Sequence, residues 1–376
     1  MVGMARVAVV HNTLDFQGGA DIVCLSVCAA LQGEHDVTLY TLSETDPGAL
    51  ADRFDIDLVS ERLTVRMPTG GGTASRTLSA AAPFVGPQLP LRSVLVHRLF
   101  ERDAEAFDLV VSTANEFAFS LPSVQYVHYP QFHARRLADD SSGALNRLWS
   151  RLAGPNRAEI ASDSLTTLAN SEWTADVVER VYGIRPAVLH PPVDPIDGRW
   201  QWEEREDGVV VVGRIAPDKR VLDAIRVVDG VRERGHDVHL HIVGAAPRAY
   251  RQYVERVEAA ASERAYVAVE RDVPRDRIET LLGTHRYGLN LKPEEHFGMS
   301  VAEYVAAGMI AFAPDSGGQR EILDGRDDRL FASVEEAVER LAHAVETGEQ
   351  PSQSADRFDS GRFREAIRRT VARALH

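Results

Sequence analysis

Lysine is the residue that the sequence most clearly lacks. Only Lys219 and Lys292 occur, beside 40 arginines, and acidic residues outnumber basic ones by 56 to 42. The resulting net charge of −14 opposes general binding to nucleic acid, because such binding depends on a surplus of cations that face the phosphates. Any phosphate-binding site must therefore be local.

Cysteine and long apolar runs are scarce as well. Cys24 and Cys28 stand four residues apart on a predicted helix, without partners at zinc-ligand spacing, so we interpret them as core residues. No stretch of 18 residues is apolar and free of charge, and the N-terminus lacks the pattern of a signal peptide. These absences predict a folded cytoplasmic protein without a spanning helix.

Apolar, β-rich segments alternate with amphipathic ones along the 376 residues. This alternation predicts an α/β fold with parallel strands, and the length predicts two doubly wound, Rossmann-like domains. A polar stretch at Asp197–Asp207 marks the linker. We expect an N-terminal domain over residues 1–192 and a C-terminal domain over residues 193–355. By analogy with other two-domain architectures, a helix within residues 356–376 should complete the first domain.

The apolar runs define the expected strands. In the first domain they are Arg6–His11, Asp36–Thr41, Asp108–Ser112, Val124–His128 and Ser164–Ala169. In the second domain they are Gly208–Gly213, Val238–Gly244, Tyr266–Glu270, Tyr287–Leu291 and Ile310–Pro314. Phe54–Val59 alternates like a strand or a strand edge, whereas the composition of Met67–Pro90, rich in glycine, alanine and proline, predicts a long loop or lid.

Three turns between a strand and a helix carry residues that suit an anion. Gly18 and Gly19 follow the first strand, Arg214 and Lys219 follow the first strand of the second domain, and Ser316–Gly318 follows its last strand. Ligands of open α/β sheets bind at such strand ends, where glycine lets the backbone approach closely. The alternatives are a tight turn at the glycines and a solvated charge pair at the cations.

The most informative segment is Asn290–Gly308. Glu295 precedes a predicted helix and Glu303 lies about one turn inside it, so one carboxylate can reach a sugar and the other a ribose. The helix begins with three residues whose backbone amides can bind hydroxyl or phosphate oxygens: Phe297, Gly298 and Met299.

Together these motifs resemble the retaining glycosyltransferases of family 4. That family has the GT-B fold, in which two Rossmann-like domains face each other across a cleft. The likeness is nearest to the α-1,2-mannosyltransferases that extend lipid-linked oligosaccharides in asparagine-linked glycosylation. The motifs that carry it are Arg214-x4-Lys219, Glu295-x-Phe297-Gly298-x4-Glu303, Ala306–Gly308, Ser316–Gly318, Tyr126–Pro130, Asn170–Thr174 and His190–Asp194.

The resemblance implies a role for each matching residue. Arg214 and Lys219 would clamp the diphosphate, and Glu303 would contact the donor ribose. Glu295 would hold hydroxyls of the transferred sugar, and His128 would lie near the reacting carbon. The implied reaction needs no metal or cofactor. It moves a hexose from a nucleotide sugar, GDP-mannose before a UDP-sugar, to a glycan or polyprenyl-linked acceptor.

Departures from the family pattern leave alternatives open. The loop at Gly18 and Gly19 has fewer glycines than the corresponding loop of the mannosyltransferases. Lys292 is either a third phosphate contact or a charge at the end of a loop. Other enzymes of this architecture are nucleotide-sugar 2-epimerases and phosphorylases, and a non-catalytic sugar-nucleotide-binding protein is a further alternative. Asp55 and Asp57 form an Asp-x-Asp sequence that would bind metal in a single-domain glycosyltransferase, but no other residue pattern supports a metal.

A basic and apolar stretch, Met67–Arg102, stands out in this acidic chain. It contains Arg76, Arg92 and Arg98 among apolar side chains, with little acid before Glu101. Such a stretch predicts reversible contact with an anionic membrane that carries the acceptor. The alternative is a helix over Ser93–Phe100 that packs its apolar face on the sheet.

Overall fold

The computed structural model describes residues 4–68, 71–85, 89–114, 116–132, 154–196, 200–247 and 250–376. The chain divides into two compact units. Unit 1 comprises Met1–Pro192 and Ser360–His376, and unit 2 comprises Val193–Asp359. Within these described stretches, no helix is both long and apolar enough to cross a membrane.

Unit 1 contains a seven-stranded parallel sheet. Its strands are β1 (Arg6–Val10), β2 (Asp36–Tyr40), β3 (Leu63–Arg66), β4 (Leu109–Ser112), β5 (Ser123–Val127), β6 (Leu165–Ala169) and β7 (Ala187–Val188). Their order, β3-β2-β1-β4-β5-β6-β7, changes direction at β1, which pairs with both β2 and β4. This is the doubly wound arrangement that the alternation of elements predicts.

Helices cover both faces of the unit 1 sheet. Along β1, Val7 and Val9 belong to one core cluster, whereas Ala8 and Val10 belong to another. Strands covered on both faces are continuously apolar, as this one is. The helices are α1 (Gly19–Leu31), α2 (Pro47–Arg53), α3 (Gly71–Val85), α4 (Leu89–Asp103), α5 (Arg157–Ile160) and α6 (Glu172–Tyr182). Cys24 and Cys28 of α1 are buried in the first of these clusters, as predicted.

Unit 2 contains a six-stranded parallel sheet in the order β10-β9-β8-β11-β12-β13. Its strands are β8 (Glu206–Val212), β9 (His239–Gly244), β10 (Val267–Arg271), β11 (His285–Leu289), β12 (Ile310–Pro314) and β13 (Leu330–Phe331). Its helices are α7 (Val221–Glu233), α8 (Arg251–Ser262), α9 (Arg275–Thr284), α10 (Met299–Ala306), α11 (Gln319–Ile322) and α12 (Val334–Thr347). Val209 and Val211 of β8 pack on one face of the sheet and Val210 packs on the other.

The C-terminal helix, α13 (Ser360–Ala374), belongs to unit 1. Phe363, Ile367 and Val371 follow one another at intervals of four residues and are buried in the core that α1 also lines. Phe358 precedes this helix and is buried in the core of unit 2. The chain therefore leaves unit 2 directly before α13 begins.

Two expectations about local structure were wrong. Met67–Pro90, expected to be a loop or lid, forms α3 and the start of α4 in its described part; its residues 69–70 and 86–88 lie outside that part. Alanine in the centre of α3 favours a helix, and its two glycines stand only in the first turn. Phe54–Val59 is not a strand, because Asp55 has a positive φ of 52°. Its alternating apolar residues pack on the core without strand pairing.

Helix α4 packs as the second interpretation of Met67–Arg102 predicts, while the side chains of Phe84 and Val85 lie outside the described part. Val96 and Phe100 are buried in a core cluster with Tyr40, and Leu95 and Leu99 pack against it. The apolar side chains of α4 therefore face the sheet, which is the alternative to membrane contact.

Candidate functional site

Three neighbouring strand ends of unit 2 carry the predicted donor-site residues. β8, β11 and β12 lie side by side and run in the same direction. Arg214 and Lys219 follow β8, Lys292 and Glu295 follow β11, and Ser316–Gly318 follows β12. The loops after these strands therefore meet at one edge of the sheet, where open α/β sheets bind ligands.

Glu295 is the centre of this group. Lys219 Nζ donates a hydrogen bond to Glu295 Oε1, and Lys292 Nζ donates to Glu295 Oε2 at 3.4 Å. The Glu295 side chain is only 12% exposed. Burial would raise its pKa, but the charges of Lys219 and Lys292 outweigh burial and hold the pKa below its ordinary value. Glu295 is thus a carboxylate held between both lysines of the chain.

Among the described residues, Arg214 joins the group through an acidic neighbour. Its Nη2 lies 3.6 Å from Asp218 Oδ2, which also lies 3.7 Å from Lys292 Nζ. The Arg214 side chain is 45% exposed. Lys292 therefore lies among the residues predicted to form the clamp, and the clamp itself stays a prediction. Sequence reasoning had left the role of Lys292 open.

Glu303 lies in a second, separate ion pair. Its Oε1 accepts a hydrogen bond from Arg275 Nη1, and Arg275 Nε also donates to Glu279 Oε1 at 2.8 Å. The positive charge of Arg275 lies next to Glu303, and this contact raises the pKa of the guanidinium. Sequence reasoning missed Arg275. Its only signal was its spacing of four residues from Glu279 on a predicted helix.

Two buried amides hold the loop that carries Lys292 and Glu295. Asn290 Nδ2 donates to Gln319 Oε1 at 2.6 Å, and Gln319 Nε2 donates to the carbonyl of Lys292 at 3.1 Å. Gln319 is fully buried. Both residues were missed as site residues, because an amide next to a strand end has no distinctive sequence signal. They fix the backbone of the loop from which the cation and the carboxylate project.

Gly317 lets the turn after β12 approach Glu295. Its φ is +74°, and a Cβ at this position would lie 2.4 Å from the backbone oxygen of Glu295. The next residue, Gly318, donates its amide to that same oxygen at 2.8 Å. The predicted glycine turn therefore holds the backbone of the Glu295 loop through this hydrogen bond, and it also leads into α11.

The start of α10 combines a glycine cap with a buried aromatic ring. Gly298 is the N-cap residue, with φ of 110°, and Met299 is the first helical residue. Phe297 is 3% exposed and its ring packs edge-on against Phe358, with centroids 5.3 Å apart. A glycine cap supplies no side-chain acceptor to the first helical amides, so a ligand oxygen can take that place.

His296 adds no charge to the site at neutral pH. Burial lowers its pKa to about 4, and the neighbouring charge of Lys292 contributes to the lowering. The positive charge beside Glu295 therefore comes from the two lysines.

Tyr304 connects α10 to the strands that carry the site. Its hydroxyl accepts a hydrogen bond from the Val212 amide at 2.7 Å and donates to the Leu289 carbonyl at 3.4 Å. Gly288 makes room for the ring, because a Cβ there would lie 2.2 Å from Tyr304 Cγ. Tyr304 is a further residue that sequence reasoning missed. It places Glu303, its neighbour on α10, relative to β8 and β11.

In unit 1, His128 directly follows β5. Its ring lies beside Tyr126, with centroids 5.1 Å apart, and its carbonyl accepts hydrogen bonds from Asn170 Nδ2 and Thr174 Oγ1. The Asn170–Thr174 motif therefore fixes the backbone of His128. The predicted position of His128 at a strand end is confirmed, while its chemical role stays a prediction.

In the glycine turn of unit 1, a backbone amide already donates a hydrogen bond to an acidic side chain of the protein. Gly18 caps α1, which begins at Gly19, and the amide of Gly18 donates to Asp21 Oδ2 at 2.9 Å. Asp21 Oδ1 lies 3.0 Å from His11 Nε2, and both side chains are buried. Burial opposes the charge of His11, but its interactions with Cys24 and Asp21 raise its pKa to about 10. The pair of His11 and Asp21 was not predicted. It holds the turn in place, because Asp21 also accepts the hydrogen bond from the Gly18 amide.

A second buried charge pair in unit 1 removes Arg92 from the proposed membrane surface. Arg92 is 2% exposed and its Nη1 donates to Ser75 Oγ at 2.7 Å and lies 3.4 Å from Asp15 Oδ2. Arg76 Nε donates to Glu44 Oε1 at 2.9 Å. The expectation that Arg92 faces lipid was wrong, because its side chain is buried beside an acidic partner. The Arg76 side chain is 75% exposed, so lipid contact at Arg76 stays a prediction.

Two family descriptions match the chain. Residues 17–196 match "Glycosyltransferase Family 4" and residues 194–361 match "Glycosyl transferases group 1". Both units thus fall in the class of glycosyltransferases with Rossmann-like domains, in agreement with the strand-end geometry. The chain belongs to the glycosyltransferases of family 4, as its motifs predicted.

Solved structures support the same architecture. HepE of Anabaena, solved in complex with UDP and glucose, is 13% identical and aligns with a TM-score of 0.69 over 98% of this chain and 100% of that chain. WaaG, a glycosyltransferase involved in lipopolysaccharide biosynthesis, is 17% identical, with a TM-score of 0.61 over 97% and 95% of the two chains. These likenesses confirm the predicted GT-B fold.

Several curated relatives of this chain share the name GDP-Man:Man(3)GlcNAc(2)-PP-Dol alpha-1,2-mannosyltransferase. The protein of Dictyostelium discoideum is 25% identical over 54% of this chain and 46% of its own length. That of Yarrowia lipolytica is 23% identical over 78% of this chain and 53% of its own length. The chain spans about half the length of the curated relatives it matches.

Proposed function

We propose that the chain is a retaining, metal-independent hexosyltransferase that uses a nucleoside-diphosphate sugar. The observation that carries this proposal is the contact of Lys219 and Lys292 with Glu295 at the strand ends of unit 2. Departure of a nucleotide builds negative charge on the diphosphate, and fixed cations in a partly buried site stabilise that charge. Lys219, Lys292 and Arg214 supply such cations.

Glu295 has two roles in the proposed reaction. Without donor, it neutralises Lys219 and Lys292. With donor bound, the lysines turn to the diphosphate and the freed carboxylate accepts hydrogen bonds from hydroxyls of the transferred sugar. Glu303, held by Arg275, accepts hydrogen bonds from the ribose hydroxyls. The Gly298 cap and the amide of Met299 stand at the start of α10, where helix amides bind phosphate or hydroxyl oxygens.

The roles of His128, Gly18 and Gly19 in this proposal rest on the family resemblance. Retention would proceed by front-face attack, because the motifs supply no carboxylate nucleophile. We favour GDP-mannose as the donor, with a UDP-sugar as the second choice, since the relatives are named for GDP-mannose and HepE binds UDP. We infer a glycan acceptor on a polyprenyl diphosphate, reached from the cytoplasm by a peripheral protein.

A panel of nucleotide sugars tests the reaction. Each donor is incubated with the protein, first alone and then with a polyprenyl-diphosphate-linked oligosaccharide, and the products are identified. We expect slow donor hydrolysis alone and sugar transfer with the acceptor. Conversion of the donor sugar without an acceptor would instead identify an epimerase. Binding of a donor without any turnover would indicate a sugar-nucleotide-binding protein.

Calorimetry with the bare nucleoside diphosphate tests the division of roles. Glu303→Gln should weaken nucleotide binding, because the ribose contact is part of the nucleotide. Glu295→Gln should leave that affinity nearly unchanged while turnover falls. An equal loss of nucleotide affinity in the two variants would contradict the assignment.

A further inference from the structure

Three histidines converge at the edge of the unit 2 sheet opposite to the donor residues. His239 and His241 stand at the start of β9, and His285 is the first residue of β11. Among the residues that the structure describes, this is the one group of three His, Cys, Asp or Glu side chains whose ligand atoms all lie within 4.8 Å of one another. The three ring centroids are 4.8 to 5.4 Å apart.

A glycine in the strand between them makes this convergence possible. Gly208 of β8 pairs in register with His239, and β8 separates β9 from β11. A Cβ on Gly208 would lie 2.3 Å from His285 Cδ2 and 2.4 Å from His239 Nε2. The imidazoles therefore occupy the space above Gly208, where a side chain would keep them apart.

Hydrogen bonds orient two of the rings with Nε2 toward the centre. His285 Nδ1 lies 2.8 Å from the Leu281 carbonyl, which only accepts, so Nδ1 carries the proton. His241 Nδ1 lies 2.9 Å from Glu270 Oε1, and Arg277 donates hydrogen bonds to both oxygens of that carboxylate. In both neutral rings Nε2 is then left with a lone pair. Metal-binding histidines are commonly oriented in this way, through a bond from the second nitrogen to a carboxylate or carbonyl.

We propose that His239, His241 and His285 form a binding site for a divalent transition metal ion, with zinc as the probe of choice. His285 Nε2 and His239 Nε2 lie 3.0 Å apart. Two nitrogens bound to one tetrahedral zinc ion are about 3.3 Å apart, so small ring movements suffice. Glu206, whose Oε2 lies 3.5 Å from His239 Nε2, or a water molecule supplies the fourth ligand.

The position of the site assigns it a structural role. The histidines join the starts of β9 and β11 across β8, whereas Lys219, Lys292 and Glu295 follow the ends of β8 and β11. The His239 side chain is 29% exposed, so an ion can enter from solvent. A bound ion would link β9 to β11 across β8 and stabilise unit 2 without touching the donor residues.

The test is zinc titration of the full chain without an affinity tag, followed by calorimetry and a cobalt(II) absorption spectrum. We expect one zinc ion per chain and the spectrum of a tetrahedral or five-coordinate nitrogen site. His239→Gln, at the partly exposed ring, should abolish stoichiometric binding. Glu270→Gln keeps all three ligands and should weaken affinity about 10- to 100-fold, as loss of an outer-shell partner does.

His343→Gln is the matched control, because His343 is exposed on α12 and lies outside the cluster. It should bind zinc like the wild type. Circular dichroism of each metal-free variant verifies the fold. Absence of stoichiometric binding to the wild type would overturn the proposal, as would unchanged affinity in His239→Gln. If His239→Gln does not fold, an unchanged affinity in Glu270→Gln counts against the site instead.

Discussion

Both lysines of the chain contact one carboxylate, so the rarest basic residue of the sequence lies at the proposed donor site. Arginine supplies 40 of the 42 basic residues, so the positions that keep lysine differ from the general surface. Lysine is a compact point charge on a flexible stem, which can move from a carboxylate to a phosphate as a ligand enters. Scarcity was thus a usable signal, although it did not reveal that Glu295 is the shared partner.

Lys219→Ala should lower kcat/KM for sugar transfer by at least about 30-fold, or ~2 kcal/mol, with the fold intact. The variant removes a charge-assisted contact to the developing diphosphate anion, and such contacts act in the transition state. Steady-state kinetics measures the loss. Arg226→Ala on α7, where Arg226 is 66% exposed, is the control and should behave like the wild type. Near-wild-type kcat/KM in Lys219→Ala would remove this residue from the site.

His296 predicts part of the pH dependence of stability. Its pKa falls from 6.5 to about 4 on folding, so in this window the unfolded chain binds a proton that the folded chain does not. The free energy of unfolding should therefore fall as pH falls from 7 to 5, by about 2 kcal/mol for this group, since one pKa unit is ~1.4 kcal/mol.

Urea denaturation at pH 7 and pH 5 measures this contribution as a difference between variants. His296→Gln should lose less stability between the two pH values than the wild type loses. His343→Gln, at an exposed position, should keep the wild-type dependence. Equal dependence in all three proteins would show that His296 ionises alike in the folded and unfolded chains.

Arg92 was predicted to lie on the surface, but it is a core residue. Its sequence neighbours suggested a basic membrane patch, but its guanidinium is buried with Asp15 and Ser75. Arg92→Met should lower the free energy of unfolding by about 3 to 5 kcal/mol, because it leaves a partly buried carboxylate without its cation. Arg98→Met, on the exposed side of the same helix, should change it by less than about 0.5 kcal/mol. Chemical denaturation at pH 7 compares them, and similar losses would contradict the pairing.

At the scale of elements, most of the fold could be predicted because the strands are buried on both faces. β12 has the predicted bounds, and the other expected strands agree within about two residues. The misses have a physical cause in each case. β3 is a short edge strand whose residues are mostly exposed, so it lacks the apolar run that marks the others. Helix α3 was not predicted, because its segment is rich in glycine, alanine and proline, which is also typical of a loop.

The site could be predicted only in part, for a related reason. Glu295, Lys219 and Gly317 follow strand ends in a pattern that points to anion binding. Asn290, Gln319, Tyr304 and Arg275 act through partners that are distant in the sequence, such as the Gln319 contact to the carbonyl of Lys292. A single sequence contains no signal for such pairings. Periodicity reports burial, and it does not report which buried polar groups meet.

Gly317→Ala tests whether the turn after β12 supports the Glu295 loop. The new Cβ would lie 2.4 Å from the Glu295 oxygen at a φ of +74°, so the loop must move. We expect kcat/KM to fall at least about 10-fold, because small displacements of catalytic groups have large effects on rate. Gly325→Ala is the matched control: its φ is +64° and nothing lies within 4 Å of its Cβ.

The control should lose about 1 kcal/mol of stability from backbone strain alone and keep its kcat/KM. Steady-state kinetics and thermal unfolding of both variants separate the two effects. Equal kinetic loss in the two variants would mean that strain, and not contact with the Glu295 loop, limits activity.

At the scale of the whole molecule, a net charge of −14 coexists with local positive charge. Lys219, Lys292 and Arg214 meet at one edge of the unit 2 sheet, and their partners Glu295 and Asp218 lie among them. The net negative charge of the chain repels polyanions, whereas the local cations attract a small anion. This charge distribution suits a nucleotide and does not suit a nucleic acid.

The two edges of the unit 2 sheet carry different chemistry, and chelation should separate them. In zinc-loaded protein, EDTA should leave kcat/KM for transfer unchanged, because Lys219, Lys292 and Arg214 replace a metal ion at the proposed donor site. The same treatment should lower the Tm, since an ion that binds only the folded chain at 100 times its Kd stabilises it by about 2.7 kcal/mol. Zinc should restore the Tm and magnesium should not.

His239→Gln makes this prediction specific to the histidine cluster. Its Tm should not respond to EDTA or to zinc, while its kcat/KM should match that of the wild type. Transfer kinetics and thermal unfolding are measured on the same samples before and after chelation. If the wild type instead loses turnover and magnesium or manganese restores it, the reaction is metal-dependent, and Asp55 and Asp57 become the candidate metal ligands. A Tm response that persists in His239→Gln would place the stabilising ion outside the cluster.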